Sequence, residues 1–523
     1  MGYRLGIDVG GTNTDAVLID GRQQVVAKAK TPVTDDVISG IAAAAQDVLS
    51  RSGVAPDAIT HAMLGTTQVT NAIIERRGLE RVAILRLGAP ATRAIPPLAD
   101  WPEDIRTKVE GPTVILPGGV EYDGRPISPF DADAVRRFVS EALDQGIRAF
   151  AVTAVFSPVR NDDERRTMEI IESLAGERAH VSLSHEIGSV GLLERENATV
   201  LNAAVRTVAH DVISAFRNAM RALGIHAALY LAQNDGTLMS LDYARRYPIL
   251  TVASGPTNSM RGAGFLSGLK DAVVIDVGGT STDVGVLSGG FPRESSAAVE
   301  IGGVRTNFRM PDLISIGLGG GTMVRIVEEA GDAPHAIAIG PESVGSKVVE
   351  RALVFGGETL TMTDVAVAKG MARLGDPDRV RVREGVIDKI FARAVGMAEE
   401  AVDRIKTRAG EVPAIVVGGG SIILPDRLAG ISEVIRPPHY EVANAVGAAI
   451  AQVSGTVDRL FSLEQQKREE ALQEAKHEAM DAAIKAGADP DRVEIIDIEE
   501  IPLAYLPGNA VRIKVKAAGS IKA

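Results

Sequence analysis

Cysteine is absent from all 523 residues. Disulfides, thiolate zinc sites, iron–sulfur clusters and cysteine nucleophiles are therefore excluded. The lack of disulfides fits a cytosolic chain, and the expected location is cytoplasmic. No long Lys/Arg cluster is present and the net charge is −12, which argues against nucleic-acid or anionic-membrane partners. No apolar run reaches the roughly 18–20 residues of a membrane span. The opening MGYRLGIDVGG lacks the apolar stretch of a signal peptide, because Asp8 interrupts it. No Gly-x-Ser-x-Gly elbow occurs. GPESVGSK ends Gly-Ser-Lys and so fails as a Walker A loop, and GLGGGT lacks the last glycine of the dinucleotide fingerprint. The eight histidines form no metal-ligand pattern; His185, beside Glu186, is expected to be a surface or packed histidine.

Glycine is abundant, at 54 residues, often in runs that mark close backbone approach. The chain also says nearly the same thing twice: IDVGGTNTD (7–15) and IDVGGTSTD (275–283) agree at eight of nine positions. In each copy an apolar strand ends in an aspartate. A Gly-Gly turn follows, then short hydroxyl and amide side chains, and a second strand leaves. Such a turn can aim backbone N–H groups at an anion. A strand-end carboxylate can hold Mg²⁺ through water, as suits a hard cation bound mainly by substrate phosphates. A plain β-hairpin would explain one copy. Two copies, each opening an α/β unit, point to two hairpins gripping one polyphosphate from both sides.

Strands and helices alternate along the chain, which predicts an α/β fold. DDVISGIAAAAQDVLSRSG reads as a helix closed by Gly53. Residues 90–129 read as Pro-rich and irregular. Asn161 is a plausible N-cap. A long helix is expected over about 192–223. Ser462 and Gln465 suggest a capping box opening a charged, Ala-rich helix to Gly487, whose alternating charge reads as a solvated face. Two strand candidates, VEIIDIEEI and AVRIKVKAA, follow. The expected domains are 1–180, 181–460 and a small α+β appendage, 461–523.

With AIVVGGGSIILP and EVANAVGAAIA following in order, the pattern resembles the actin, Hsp70 and sugar-kinase ATPase superfamily. That implies a two-lobed, ribonuclease H-like fold with phosphate 1, phosphate 2 and adenosine motifs, and Gly447 permitting close helix packing. The segments LGTTQVTNAIIERRG, LLERENATVLNAAV, LYLAQNDGTLMS, TVASGPTNSMRGAG and GGETLTMTDVAVAKG resemble the hydantoinase/oxoprolinase family, from residue 5 to about 451. The chain departs from that family's long members at Asn13, where they carry Phe, and at Thr257, Asn258 and Ser259, where they carry Ala-Gly-Gly.

The resemblance implies ATP and Mg²⁺ as cofactors. Gly10, Gly11, Thr12, Asn13 and Thr14, with Gly278, Gly279, Thr280, Ser281 and Thr282, would hold phosphates. Gly319, Gly320 and Gly321, and Gly418, Gly419 and Gly420, would approach the nucleotide. Asp8 and Asp276 would organise the metal, with Asp283 a catalytic candidate. Hydrogen bonding of Asp15 and Asp283 to turn N–H groups is the favoured reading of those two. Thr66, Thr67 and Asn71, and Asp235, Ser254 and Gly255, are substrate candidates. The implied reaction is ATP-dependent opening of a hydantoin- or 5-oxoproline-like cyclic amide through carbonyl phosphorylation, by this chain or by an oligomer with a second hydantoinase subunit. A small-molecule kinase, a chaperone-like or reactivating ATPase, and a carboxylase ATPase subunit are the competing expectations.

Overall fold

The computed structural model describes residues 2–33, 37–295, 299–308, 310–327, 336–464, 466–503 and 509–521. Its first lobe is built on a nine-stranded sheet. From edge to edge the strands are Val25–Pro32, Asn13–Ile19, Tyr3–Val9, Ile59–Thr66, Ala228–Ala232, Leu238–Ser240, Val453–Ser462, Ala510–Ile521 and Ala488–Pro502. The second lobe repeats the opening plan. Thr282–Ser288 pairs antiparallel with Ala272–Val277, which runs parallel to Val412–Val417 and so on to Ile431–Ile435. Phe291–Pro292 and Leu313–Ile316 share the outer edge of Thr282–Ser288. Each sheet thus begins with an antiparallel hairpin and continues with parallel strands, the ribonuclease H-like order of a two-lobed, actin-like ATPase fold. The central strands carry unbroken apolar runs because both faces are covered: Leu5, Ile7, Val273 and Ile275 are all buried.

Between residues 75 and 228 the chain leaves the first sheet and builds a separate four-stranded parallel sheet, Glu110–Pro117, Val82–Ala89, Ala149–Ala154 and His180–Leu183. The stretch 90–129, read from its prolines as irregular, contains the helix Glu103–Val109 and one of these strands. LLERENATVLNAAV buttresses this unit. Arg195 to Ala204 are all buried, Arg86 pairs with Glu196 at 2.5 Å, and Trp101 Nε1 donates to Asn197 Oδ1 at 2.7 Å. The expected long helix is two, Leu192–Ala204 and Arg206–Ala222.

The expected partition at 180 and 460 differs from the sheet topology. Ala228–Ala232 and Leu238–Ser240 belong to the first sheet, and so do all three strands after residue 452. The segment 461–523 is an extension of the first lobe: Ala471, Ala483, Ile513 and Val515 share one core with Leu5, Ile7 and Phe216. Its helix spans Arg468–Ala486, starting later than Ser462 implies; Gln465 lies outside the described residues. Charge alternation hid an alanine stripe at helical spacing, Ala471, Ala475, Ala479 and Ala483, all buried. Small side chains let that helix lie close on the sheet. A Cβ on Gly455 would sit 2.0 Å from the Ala483 nitrogen.

The lobes meet through two helices, Ser254–Ser267 and Ala443–Ile450. They cross at glycines, as expected for Gly447. A Cβ there would lie 1.8 Å from the Asn258 oxygen, and one on Gly262 would lie 1.9 Å from the Ala443 oxygen. Backbones this close tolerate nothing larger than glycine.

Candidate functional site

The twin loops are superposable in their bonding. Asp8 pairs with Asp15 across the first hairpin, and Asp276 with Asp283 across the second. Gly10 N–H donates to Asn13 O at 3.0 Å and Gly278 N–H to Ser281 O at 2.9 Å. The tips face each other: a Cβ on Gly279 would lie 2.9 Å from Thr12 Oγ1. Both hairpins line one cavity of about 710 Å³ between the lobes.

Side-chain alternation along a strand sorts the expected residues. Asp8, Asn13, Asp15, Asp276, Ser281 and Asp283 line the cavity, as do Gly10, Gly11, Thr12, Gly278, Gly279 and Thr280. Thr14 and Thr282 do not: both are fully buried on the opposite face, and Thr282 Oγ1 donates to Leu318 O at 2.5 Å. Gly320, Gly321 and Gly418–Gly420 line the cavity, whereas Gly319 does not. The 319–321 loop first braces the second hairpin, with Gly320 N–H donating to Gly278 O and Gly321 N–H to Gly279 O. Thr67, Asn71 and Gly255 reach the cavity. Thr66 and Ser254 are buried beside it and bonded to backbone: Thr66 Oγ1 accepts from Gln68 N–H at 3.2 Å, and Ser254 Oγ donates to Thr66 O at 3.3 Å.

Asp235 does not join them in the interlobe cavity. It lines a different cavity, pairs with Lys516 at 2.8 Å and accepts from Thr237 and Ser454. Burial alone would raise its carboxyl; Lys516 and the two hydroxyls outweigh that and push it down to about 2. Its loop is tied to the C-terminal strand, an assignment no local motif could reveal.

The hairpin carboxylates are held without being neutralised. Asn258 Nδ2 donates to Asp8 Oδ1 at 3.2 Å, and Asn444 Nδ2 donates to Asp8 Oδ2 at 3.0 Å and to Asp15 Oδ2 at 2.9 Å. Amides orient a carboxylate but leave its charge in place. Asp15 also pairs with Lys30 at 2.6 Å, so its partners are side chains, not the turn N–H groups expected for it. Asp283 shows the same departure: the side chain it bonds is Ser315. Burial, with Asp15 and Asp276 adding, raises Asp8 to about 6 against the pull of the two amides. Burial and Asp276 raise Asp283 to about 6. Asp15 and Asp276 are also raised, chiefly by burial, opposed by Lys30 for the first and by Ser259 for the second. Among the described lining residues Lys30 is the one cation, against Asp8, Asp15, Asp276, Asp283 and Glu441.

Sequence reasoning missed Lys30 and Asn444, which enter from a strand edge and a helix far along the chain. Asn258 and Ser259 were visible only as departures from the family pattern; they bond Asp8 and Asp276 respectively.

Among the described residues no group of three or more His, Asp or Glu side chains is close enough to enclose a metal ion. Hard, under-neutralised carboxylates on opposite walls nevertheless fit a cation held partly through water and phosphate oxygens.

Fold and site together define a two-lobed protein of the actin-like ATPase fold, with paired glycine-rich hairpins facing one cavity. Residues 4–175 match the hydantoinase/oxoprolinase N-terminal region and residues 195–372 match hydantoinase/oxoprolinase. The chain belongs to the hydantoinase/oxoprolinase family. It is 28% identical over 394 residues to the acetophenone carboxylase gamma subunit of Aromatoleum aromaticum, covering 70% of this chain and 52% of that one. It is 26% identical over 486 residues to caprolactamase subunit alpha of Pseudomonas jessenii, covering 88% and 67%. The chain thus spans about half to two-thirds of the length of these curated relatives. The crystal structure of the ATP-dependent caprolactamase from Pseudomonas jessenii shares the fold, with a TM-score of 0.79 at 20% identity, over 99% of this chain and 88% of that one.

Proposed function

We propose that this chain is the ATP-using component of an enzyme that opens a cyclic amide after phosphorylating its carbonyl oxygen, alone or with a second subunit. The observation that carries the reading is the pair of identically bonded hairpins presenting Asp8, Asp15, Asp276 and Asp283 to one interlobe cavity. An amide carbonyl is a poor electrophile, and transferring the γ-phosphoryl group to its oxygen turns that oxygen into part of a leaving group. Phosphoryl transfer asks the protein mainly for positioning and charge neutralisation. The hairpin N–H groups of Gly11–Asn13 and Gly279–Ser281 would hold phosphate oxygens, and Lys30 would supply positive charge. Asp8 and Asp276 would hold Mg²⁺, which when bound offsets phosphate charge. The amides of Asn258 and Asn444 keep Asp8 oriented. Thr67, Asn71 and Gly255 would meet the carbonyl compound at the first-lobe wall.

The second reading is the ATPase subunit of a carboxylase, favoured by the similarity to a subunit of acetophenone carboxylase. One experiment separates the two. ATP turnover by the purified chain with Mg²⁺ is followed with hydantoin, 5-oxoproline, small lactams, and ketones with bicarbonate, measuring phosphate and organic product together. Stimulation by a ring compound with a ring-opened product supports the first reading. Stimulation that requires ketone and bicarbonate moves the assignment to the second, and a stable phosphorylated product would replace both with a kinase.

A further inference from the structure

The interlobe cavity is polar in its middle, where the hairpins present their carboxylates, and apolar at two ends. At one end Val348 and Phe355 pack on a small cluster, and Val349 and Leu374 line the cavity while staying 60% and 42% exposed. Just ahead of Val348, Val344 N–H donates to Gly321 O at 2.9 Å. This end therefore adjoins the 319–321 loop and, through it, the second hairpin. At the other end Ala253, Val299 and Met310 line the cavity and pack on one core cluster with Val69 and Ile73. This end adjoins the first hairpin. Thr67 N–H donates to Val9 O at 3.3 Å, and a Cβ on Gly255 would lie 3.8 Å from Thr67 Cγ2 and 3.9 Å from Asp8 Oδ2.

Both lobes build that second end. Phe291–Pro292 and Leu313–Ile316 share one edge of Thr282–Ser288 in the second sheet, but the chain between them crosses to the first lobe as a strap. There Val299–Ile301 and Val304–Thr306 form a hairpin. Ile301, Val304 and Phe308 are buried in one cluster with Trp101 of the first lobe. Arg76 Nη2 donates to Gly302 O at 2.8 Å, and Asn197 Nδ2 to Arg305 O at 2.9 Å. Asn307 Nδ2 lies within 3.2 Å of three successive carbonyls, those of Ser189, Val190 and Gly191. The strap is thus docked by apolar burial and by hydrogen bonds together, and it can serve as a wall. Among its described residues Val299, Met310 and Pro311 line the cavity, and all three are apolar.

A nucleoside triphosphate brings one flat apolar group. With its phosphates between the hairpins, its base fills one apolar end of the cavity and leaves the other free. The open end flanked by Gly320 and Gly321 suits a planar base, because backbone without a Cβ lets a ring approach closely. The strap end then lies beyond the terminal phosphate, beside Asp8, where a phosphoryl acceptor has to be held for transfer. We propose that the strap end is the acceptor site, and that Val299 and Met310 select a ring whose atoms away from the carbonyl are hydrocarbon: a lactam with unsubstituted methylenes. Its carbonyl oxygen faces the hairpins, and its methylenes lie against the strap. The proposal rests on the reading of the chain as acting on cyclic amides, and it puts the carbonyl and the transferred phosphate in one cavity. A hydantoin would bury a second polar amide against Val299 and Met310 without a partner there, which costs affinity. Val299 and Met310 determine specificity and do not touch the reacting atoms.

The test is a set of affinities, measured by saturation-transfer NMR on the full chain with Mg²⁺ and a non-hydrolysable ATP analogue bound. The probes are hydantoin and the unsubstituted five-, six- and seven-membered lactams. Each added methylene should tighten binding about two- to fourfold, and hydantoin should bind about tenfold more weakly than the seven-membered lactam. Met310→Ala should weaken the seven-membered lactam about five- to tenfold and flatten the series, while Met310→Leu, close in volume, should keep it. Val299→Thr, which keeps shape and adds a hydroxyl, should weaken the lactams about threefold and spare hydantoin. Unaltered binding of the analogue shows that a variant folds. A flat lactam series in the unmodified chain would overturn the proposal, as would hydantoin bound as tightly as the seven-membered lactam. So would a series unchanged in both Met310→Ala and Val299→Thr, or no lactam binding up to about 10 mM, above the usual range of KM. In any of those cases, ATP turnover stimulated by hydantoin or 5-oxoproline would leave the ring-opening reading standing. Turnover that no ring compound stimulates would remove that reading as well.

Discussion

Replacing Lys30 with Met tests the charge balance of the interlobe cavity directly. Lys30 Nζ sits 2.6 Å from Asp15 Oδ1 and donates to Glu441 O at 3.1 Å, and it is the one cation among the described lining residues. A unit charge about 4 Å from a developing phosphoryl charge is worth about 4 kcal/mol at an effective dielectric of about 20. The Lys30 side chain is 32% exposed and shares its charge with Asp15, so about half of that, ~2 kcal/mol, should survive screening. The expected loss in kcat for phosphate release from MgATP is then about 30-fold. Stability complicates the single variant, because Asp15 is left buried without its counter-charge. The double variant Lys30→Met, Asp15→Asn removes both, and should recover thermal stability while remaining slow. Turnover of Lys30→Met within about threefold of the unmodified chain would refute the argument, as would full recovery of turnover in the double variant.

Asp276→Asn keeps shape and removes charge; nucleotide should still bind by equilibrium titration, while turnover falls by about 10²-fold or more, in line with other preorganised electrostatic groups. Unchanged turnover would reject a metal role for Asp276. Gly447→Val should push apart the two helices that join the lobes, since even a Cβ would sit 1.8 Å from the Asn258 oxygen; overpacking of this kind costs at least about 1–3 kcal/mol, read as a lowered Tm together with weakened nucleotide binding. Asp235 gives a pH signature. Its folded-state carboxyl, near 2 instead of 3.8, contributes about 2–3 kcal/mol that is fully present above pH ~4 and is lost as pH falls towards ~2. Asp235→Asn should remove that acid limb from an acid-denaturation curve and also lower stability at neutral pH, because the buried Lys516 keeps only its longer pairing with Glu294, at 3.3 Å.

Local signals carried most of what was legible in the chain. The two hairpins could be read from nine residues each, because a Gly-Gly turn and an apolar strand are short-range features. Strand–helix alternation and the ordered glycine motifs led to the two-lobed plan. The period of two along a strand is also local, and it puts Thr14 and Thr282 on the face opposite Asp15 and Asp283, away from the cavity. What the chain order could not reveal was pairing over hundreds of residues. Nothing near residue 510 says that its strand joins the sheet begun at Tyr3, next to the edge strand Ala488–Pro502, and charge alternation along Arg468–Ala486 outweighed the alanine stripe that in fact faces the core.

The amino-acid sequence by itself determined that two nearly identical loops each end a strand in an aspartate and that no cysteine chemistry is available. Only the tertiary structure decided what those aspartates experience. Asn444 reaches back 436 residues to Asp8, Asn258 comes from the helix between the lobes, and Lys30 from the third strand; their convergence sets which carboxylates are oriented, which is paired and which stay raised towards 6. The same holds for Asp235 and His185, whose environments are made by Lys516 and Glu164. The reason is physical: a side chain's hydrogen-bonding capacity belongs to its residue type, whereas its burial and its counter-charges belong to neighbours that only folding brings within a few ångströms.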